Sequence, residues 1–550
     1  MANREGRRMR ASSEERAPER PRSIRGPLLA SLVVATASAG AAYAFGPEPA
    51  PKKTTTVRAA AAAETCTASG TRPKRQLRGV WIATVHNSDW PSKPGLTPAR
   101  QRAEYVTILD NAVKRRLNAV FVQVRPESDA LYRSSLEPWS KYLTGSAGRD
   151  PGWDPLPFLI SEAHKRGLEF HAWFNPYRAA YETDVSALPA RHPARVHPDW
   201  TVKHEGRLYY NPGLPQVRDW VTKVVTDVVR RYDVDGVHFD DYFYPYPGNG
   251  TRFADAATHA KYGKGVKLAD WRRDNVNELV AQVSRAVHGT KAYVKFGISP
   301  FGIWRNKSDD PKGSATNGMS AYDAIYADAK AWIKAGSVDY LIPQLYWPRG
   351  FAAADYDALV PWWAEAVRGT DVDLYIGQAL YRVGTKDTPA WTKPAEMPSH
   401  LTVNRRYPEV KGDVYFSAAG LAANPLGVLD RIVKNHYAQP ALLPLIKGLP
   451  SGPPAAPANL KASSGTLTWA AAPGARAYAV YRIGAGKGGK KDAGGGSAGC
   501  ATVDARHLVA VVPADGSPAY AAGESGDYYV TALDRLNNES PAAHLAVTLP

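Results

Sequence analysis

Asp235-Gly236-Val237-His238-Phe239-Asp240-Asp241-Tyr242-Phe243-Tyr244 is the stretch that decides how this chain is read. Val237 and Phe239 alternate with His238 and Asp240, which is the period of a strand with one apolar and one polar side. Carboxylates and tyrosines close the run. Polar groups at the C-terminal end of a buried strand suit a barrel that presents its chemistry at that end.

Seven further short runs share this character, at 79–84, 119–125, 169–175, 294–299, 340–346, 374–380 and 413–417, with 236–242 as the fourth in order. Amphipathic stretches separate most of them, at 100–116, 155–166, 215–232, 268–287 and 322–335. Eight strand–helix units predict a (β/α)8 barrel over 76–446. An open doubly wound sheet is the alternative, but Arg78-Gly79-Val80-Trp81 has a single glycine and no Gly-rich phosphate loop follows it.

Strand parity then sorts side chains. On the fourth strand Val237 and Phe239 face the helices, leaving Gly236, His238, Asp240 and Tyr242 inward; Asp241 follows the helix-facing parity unless the strand has ended. On the second, Val120, Val122 and Val124 face outward, leaving Gln123, Arg125 and Glu127 for the interior. On the third, His171, Trp173 and Asn175 face inward, and on the sixth Gln344 and Tyr346 share a face. Such polar residues are costly to bury without partners, and they gather late in their strands, where a substrate would bind.

A carboxylate among Trp, Tyr, His, Asn and Arg suits glycoside hydrolysis, which needs an acid for the leaving oxygen and a second group for the oxocarbenium-like centre. Asp240 is the first candidate; an ion pair with Arg125 or Arg178 is the structural alternative. Asp241 and Glu127 are the other candidate catalytic carboxylates, against roles as loop cap and solvated acid. Arg125, His171, Trp173, Asn175, Arg178, His238, Tyr242, Tyr244, Trp304, Gln344, Tyr346 and Trp347 are the expected substrate-binding set. Trp304, Tyr346 and Trp347 read equally well as core packing. His171 and His238 read as hydrogen-bonding groups, because no His-x-His pair is present on a strand; no metal or cofactor is expected. The absence of a G-x-S-x-G elbow speaks against a serine esterase, and neither cysteine lies in the barrel to serve as nucleophile.

The flanks read differently. Residues 1–27 hold eight Arg and four Glu, followed by an apolar run from Pro27 to Ala35 and Ala42-Tyr43-Ala44. This predicts a signal peptide over 1–44, with an uncleaved membrane anchor as the alternative. Residues 45–75 read as a linker, and Pro450-Ser451-Gly452-Pro453-Pro454 marks a second one over 447–457. From 458 to 550, the segments Leu467-Thr468-Trp469, Tyr478-Ala479-Val480-Tyr481 and Tyr528–Asp534 alternate as strands and resemble a fibronectin type III sandwich. The boundary predicts independent folding of that tail, and Gly484–Gly499 reads as a flexible loop. Cys66 and Cys500 would both lie outside the cell and could pair. The formal charge is +17, and loss of eight positive and four negative charges with residues 1–44 leaves +13. A basic exported protein is drawn to anionic polymers such as cell walls; export argues against nucleic acid, and membrane contact follows only if the leader stays uncleaved.

The segments Arg78–Thr84, His171-Ala172-Trp173-Phe174-Asn175-Pro176-Tyr177-Arg178 and Asp235–Tyr244, with Ser299–Arg305 and Pro343-Gln344-Leu345-Tyr346-Trp347-Pro348, resemble the glycosyl-hydrolase-like ten family from about Gln76 to Tyr437. The resemblance implies a (β/α)8 glycosidase-like fold in exported bacterial proteins, cell-wall glycan strands as substrate class, and an acidic site on Asp240 and Asp241. The fourth strand is also similar to the D-G-x-D-x-D-x-E pattern of chitinase-like barrels. There, however, His238 replaces the middle acid and Tyr242 the glutamate, which speaks against chitinase-type chemistry. The expectation is an exported glycoside hydrolase of an amino-sugar polymer. A non-catalytic wall-glycan binder is the alternative, and a hydrolase of plant or algal polysaccharide ranks lower.

Overall fold

Residues 73–248, 250–449, 452–484 and 498–549 are described by the computed structural model. The expected leader, nearly all of the first linker, Cys66 and most of the expected Gly-rich loop lie outside these residues.

Eight parallel strands close on themselves: β1 (Leu77–Ile82), β2 (Ala119–Arg125), β3 (Glu169–Phe174), β4 (Gly236–Phe239), β5 (Lys295–Ile298), β6 (Tyr340–Leu341), β7 (Asp373–Gln378) and β8 (Val410–Tyr415). β1 closes the ring, with Gly79 opposite Ala119 on one side and Val414 on the other. One longer helix follows each strand: α1 (Pro98–Lys114), α2 (Pro155–His164), α3 (Pro215–Arg231), α4 (Leu268–Thr290), α5 (Ala329–Ala335), α6 (Tyr356–Val367), α7 (Glu396–Asn404) and α8 (Val428–Asn435). This is a TIM barrel.

Local chemistry sets the helix starts. Thr97 and Asp154 accept from the backbone N–H groups of Arg100 and Leu156, and Pro98 and Pro155 fill first-turn positions where no donor is needed. Outward strand residues such as Val120, Val122, Ala172, Val237 and Phe239 join the helices in one large core. A smaller core inside the barrel holds Trp81, Phe121, Trp173, Tyr340 and Tyr375. Gly236 and Gly297 make room for that filling. A Cβ on Gly236 would lie 2.2 Å from His171 Nδ1, and one on Gly297 would lie 2.2 Å from the Tyr340 ring.

Three expectations need adjusting. The sixth strand keeps regular pairing only at Tyr340–Leu341, and Gln344 then bridges singly to Phe301 and Gly377. The expected helix at 322–335 is a turn at Ala321–Ala324 and then α5. Between Gln123 and Arg125 the register with β3 slips, so Arg125 lies beside outward-facing Phe174. The extra residue breaks the alternation on which an inward Arg125 was predicted.

The tail forms strands β9 (Ala458–Ser463), β10 (Thr466–Ala470), β11 (Ala477–Gly484), β12 (Leu508–Pro513), β13 (Ala519–Ala521), β14 (Gly526–Leu533) and β15 (Ala543–Val547). One sheet runs β9-β10-β13 and the other β12-β11-β14-β15, a small all-β domain. It sits against the N-terminal face of the barrel. Arg476 pairs with Asp235 just before β4, Arg535 with Asp233, and Lys74 with Glu539.

Candidate active site

Asp240 stands just past β4, where three N–H donors converge on its carboxylate. The backbone amide of Asp241 and Gln344 Nε2 reach Oδ1 at 3.0 and 3.3 Å, and Asn175 Nδ2 reaches Oδ2 at 3.3 Å. The amide directions follow from their own partners. Gln123 Oε1 accepts from the backbone N–H groups of Thr84 and Val85, each at 2.9 Å, so Gln123 Nε2 donates to Asn175 Oδ1 at 2.6 Å. Asn175 therefore turns Nδ2 to Asp240. Gln344 Nε2 also donates to the Ser299 carbonyl at 3.0 Å.

Asp241 is buried beside it and accepts from the Tyr246 hydroxyl. Since β4 ends at Phe239, strand parity no longer governs Asp241. Burial first, and then the charge of Asp240, holds the Asp241 carboxyl well above the usual carboxylate range. A carboxyl raised in this way suits the role of proton carrier.

Glu127 is also buried. It accepts from the Tyr142 hydroxyl at 2.6 Å and the Tyr181 backbone N–H at 3.1 Å, with Lys141 Nζ at 3.6 Å. Its neighbour Asp129, which the sequence did not single out, is raised to about 7 by burial and by the charge of Glu127.

Aromatic rings line the C-terminal end of the barrel in contact order. Tyr242 lies 5.7 Å from Tyr246, Tyr246 6.2 Å from Phe301, and Phe301 5.4 Å from Trp347, centroid to centroid. A second group joins Tyr346 to Tyr381 and Phe416, at 5.8 and 6.3 Å. These rings are half-buried except Tyr381, which is 47% exposed. Arg178 lies over the Tyr242 ring at 4.7 Å and over the Tyr181 ring at 5.1 Å. Tyr181, Tyr246, Phe301 and Tyr381 escaped the sequence reading because they follow strands in loops, where no period marks direction, whereas Phe416 fell in the expected strand 413–417, which ends at Tyr415.

Other members of the predicted set sit elsewhere. Arg125 forms a buried two-pronged pair with Glu137, at 2.7 and 2.6 Å, and makes no bond to Asp240. His171 lies lower in the barrel, between Glu169 at 3.1 Å and the Tyr340 hydroxyl at 3.0 Å. His238 accepts from Trp81 Nε1 at 3.1 Å; burial and nearby His171 push it well below its ordinary range, so it is a neutral imidazole. Trp173 packs in the barrel interior with its indole N–H unpartnered. Tyr244 packs on Phe253 and Tyr326 in the outer core. Trp304 donates to Asp328 at 2.8 Å and stacks on Trp362.

The family model described as glycosyl hydrolase-like 10 matches residues 76–393, a span holding all of these groups except Phe416. The chain belongs to the glycosyl hydrolase-like 10 family. Among relatives of this family member, glycosyl hydrolase YngK of Bacillus subtilis (strain 168) is 50% identical over 387 residues, covering 70% of this chain and 76% of the relative. Glycosyl hydrolase DigH of Escherichia coli (strain K12) is 42% identical over 371 residues, covering 64% and 84%. Among solved structures, the PgaB (BpsB) glycoside hydrolase domain from Bordetella bronchiseptica aligns with a TM-score of 0.43 at 14% identity, covering 66% of this chain and 98% of that one. This glycosyl hydrolase-like 10 protein is a glycoside hydrolase acting on a carbohydrate substrate.

Proposed function

We propose that this glycoside hydrolase is exported and cleaves an amino-sugar polymer, the glycan strands of peptidoglycan. In this reading Asp240, held as an acceptor by three N–H donors, stabilises the positive charge that develops at the sugar ring. Asp241 delivers its proton to the leaving glycosidic oxygen as the bond from that oxygen to the anomeric carbon breaks, and a water then bonds to the anomeric carbon and returns a proton to Asp241. The observation that carries the reading is the pair of buried carboxyls just past β4, Asp240 under three N–H donors and Asp241, raised by burial, beside it. Half-buried rings from Tyr242 to Trp347 supply flat faces for sugars. Glu127 serves the rim through Tyr142 and the Tyr181 backbone.

Export is supported by the apolar run before Ala42-Tyr43-Ala44, and attraction to an anionic wall by the basic balance that remains. The tail is read as a fibronectin type III-like spacer, supported by the split of its seven strands into sheets of three and four. The test incubates the purified protein with peptide-free wall glycan, chitin oligomers and neutral glucans and identifies products by mass spectrometry. New reducing ends from wall glycan alone are expected; cleavage of neutral glucans alone would overturn the substrate. Amino-terminal sequencing of protein from culture fluid should begin near Phe45, and full-length protein confined to membranes would overturn export.

A further inference from the structure

Tyr346 and Trp347 are adjacent in the chain, yet their rings belong to different rows. Trp347 meets Phe301, whereas Tyr346 meets Tyr381 and Phe416. The second row begins near the carboxyls. Burial, then the Tyr381 phenol, then the charges of Asp240 and Asp241 hold the Tyr346 hydroxyl well above its ordinary range, so it stays an O–H donor. The row ends in solvent at Tyr381, and the only other exposed Tyr, Phe or Trp among the described residues is Tyr262. The exposed ring is held in place. The Tyr381 backbone N–H donates to the Phe416 carbonyl at 3.1 Å, and Arg382 Nε donates to the Tyr381 hydroxyl at 3.1 Å. Leu380 is fully buried against Gly420, where a Cβ would lie 2.5 Å from its side chain. Phe416 is fixed through the segment that follows it: Asp89 accepts from Ser417 Oγ at 2.8 Å and from the backbone N–H groups of Ala419 at 2.9 Å and Ala83 at 2.8 Å.

An ordered ring that is still wet gains when a flat apolar face covers it and loses little freedom in the process. The C–H face of a pyranose is such a face. We propose that Tyr381 and Phe416 form an outer sugar subsite, further along the glycan than the sugar held by Tyr346 and Asp240, so that cleavage speeds up once a chain is long enough to reach Tyr381. This rests on the reading of Asp240 and Asp241 as the reacting pair and is independent of which polymer is cut. Asp89 is a positioning residue for the subsite, because it ties the loop after β8 to the loop after β1.

The experiment takes chains of two, four and eight sugars prepared from wall glycan, chitin and a neutral glucan. It measures kcat and KM for each, and calorimetric affinity on the Asp240→Asn background, where chains should stay intact. With the full-length protein, kcat/KM should rise with chain length. Tyr381→Ala should raise KM for the eight-sugar chain about tenfold, the scale of one ring contact, with kcat, the two-sugar rates and the melting temperature nearly unchanged. Tyr381→Phe should keep the length dependence, since it keeps the ring. A stable Tyr381→Ala variant with unaltered KM, an equal loss on short and long chains, or a wild type indifferent to length would each overturn the subsite while leaving the glycan-strand reading intact. Length dependence that Tyr381→Ala removes on chitin or glucan, with wall glycan uncut, would sink the glycan-strand reading and keep the subsite. The same loss with Asp240→Asn still hydrolysing would keep the subsite and move the reacting pair. Absence of binding to any of the chains would overturn both.

Discussion

The two ends of the barrel hold the same kinds of residue in opposite states. At the N-terminal end the acidic groups Glu169 and Asp235 are matched by cations. Lys295 Nζ reaches both oxygens of Glu169 at 2.7 and 2.6 Å, and His171 closes the group. Asp235 takes the Phe170 backbone N–H, His164 and Arg476. Burial opposes its ionisation, yet Arg476 and His164 hold its carboxyl well below the usual range. At the C-terminal end the balance is left open. Asp241 is pushed up by burial and then by the charge of Asp240, and the rings stay half-buried. Matched charges stabilise one end; at the other, the buried carboxyls of Asp240 and Asp241 and the half-buried rings face the substrate side.

Exchanging the two states separates them. The largest effect is expected from Asp240→Asn, which keeps shape and removes charge. Hydrolysis should fall about a thousandfold or more, the scale for losing several kcal/mol of transition-state stabilisation, with melting nearly unchanged. Near-normal hydrolysis by a stable variant would move the chemistry to Glu127 and Asp129. At the other end, Arg476→Met should lower stability by about 3 kcal/mol in denaturant titration, because Asp235 loses its buried partner. Its kcat, measured well below the melting point, should hold. Ending the chain at Gly448 should destabilise the barrel in the same way, against the independent folding expected from the Pro-rich boundary.

Smaller effects concern pH. The folded-state value of Asp235 is depressed, so its contribution is present above the ordinary carboxylate value of about 3.9 and fades as pH falls below it. Melting curves of wild type and Arg476→Met should therefore converge in acid; a constant gap would mean that Asp235 is not the group responsible. Asp241 works in the opposite direction: raised, and active when protonated, it should lose activity as pH rises through its value. The Tyr246 hydroxyl favours the ionised form, so Tyr246→Phe should move the alkaline limb of kcat to higher pH, with the rate changed only a few-fold. A limb that moved down would assign it to another group.

The alternation of short apolar runs with amphipathic stretches is local, and it sufficed for the eight-strand barrel and for placing Asp240 at the C-terminal end of β4. Period two reports which face a side chain takes as long as the ladder is regular, and that condition failed twice. The slip at Val124 turned Arg125 outward to Glu137, and the end of β4 at Phe239 freed Asp241 from its expected side. What a side chain meets on its face is set by segments far away in sequence. Gln344 reaches Asp240 from 104 residues away, and Arg476 reaches Asp235 from another domain. Alternation carries no record of such meetings, so the raised carboxyl of Asp241 and the sealed position of His171 were decided only when the barrel closed.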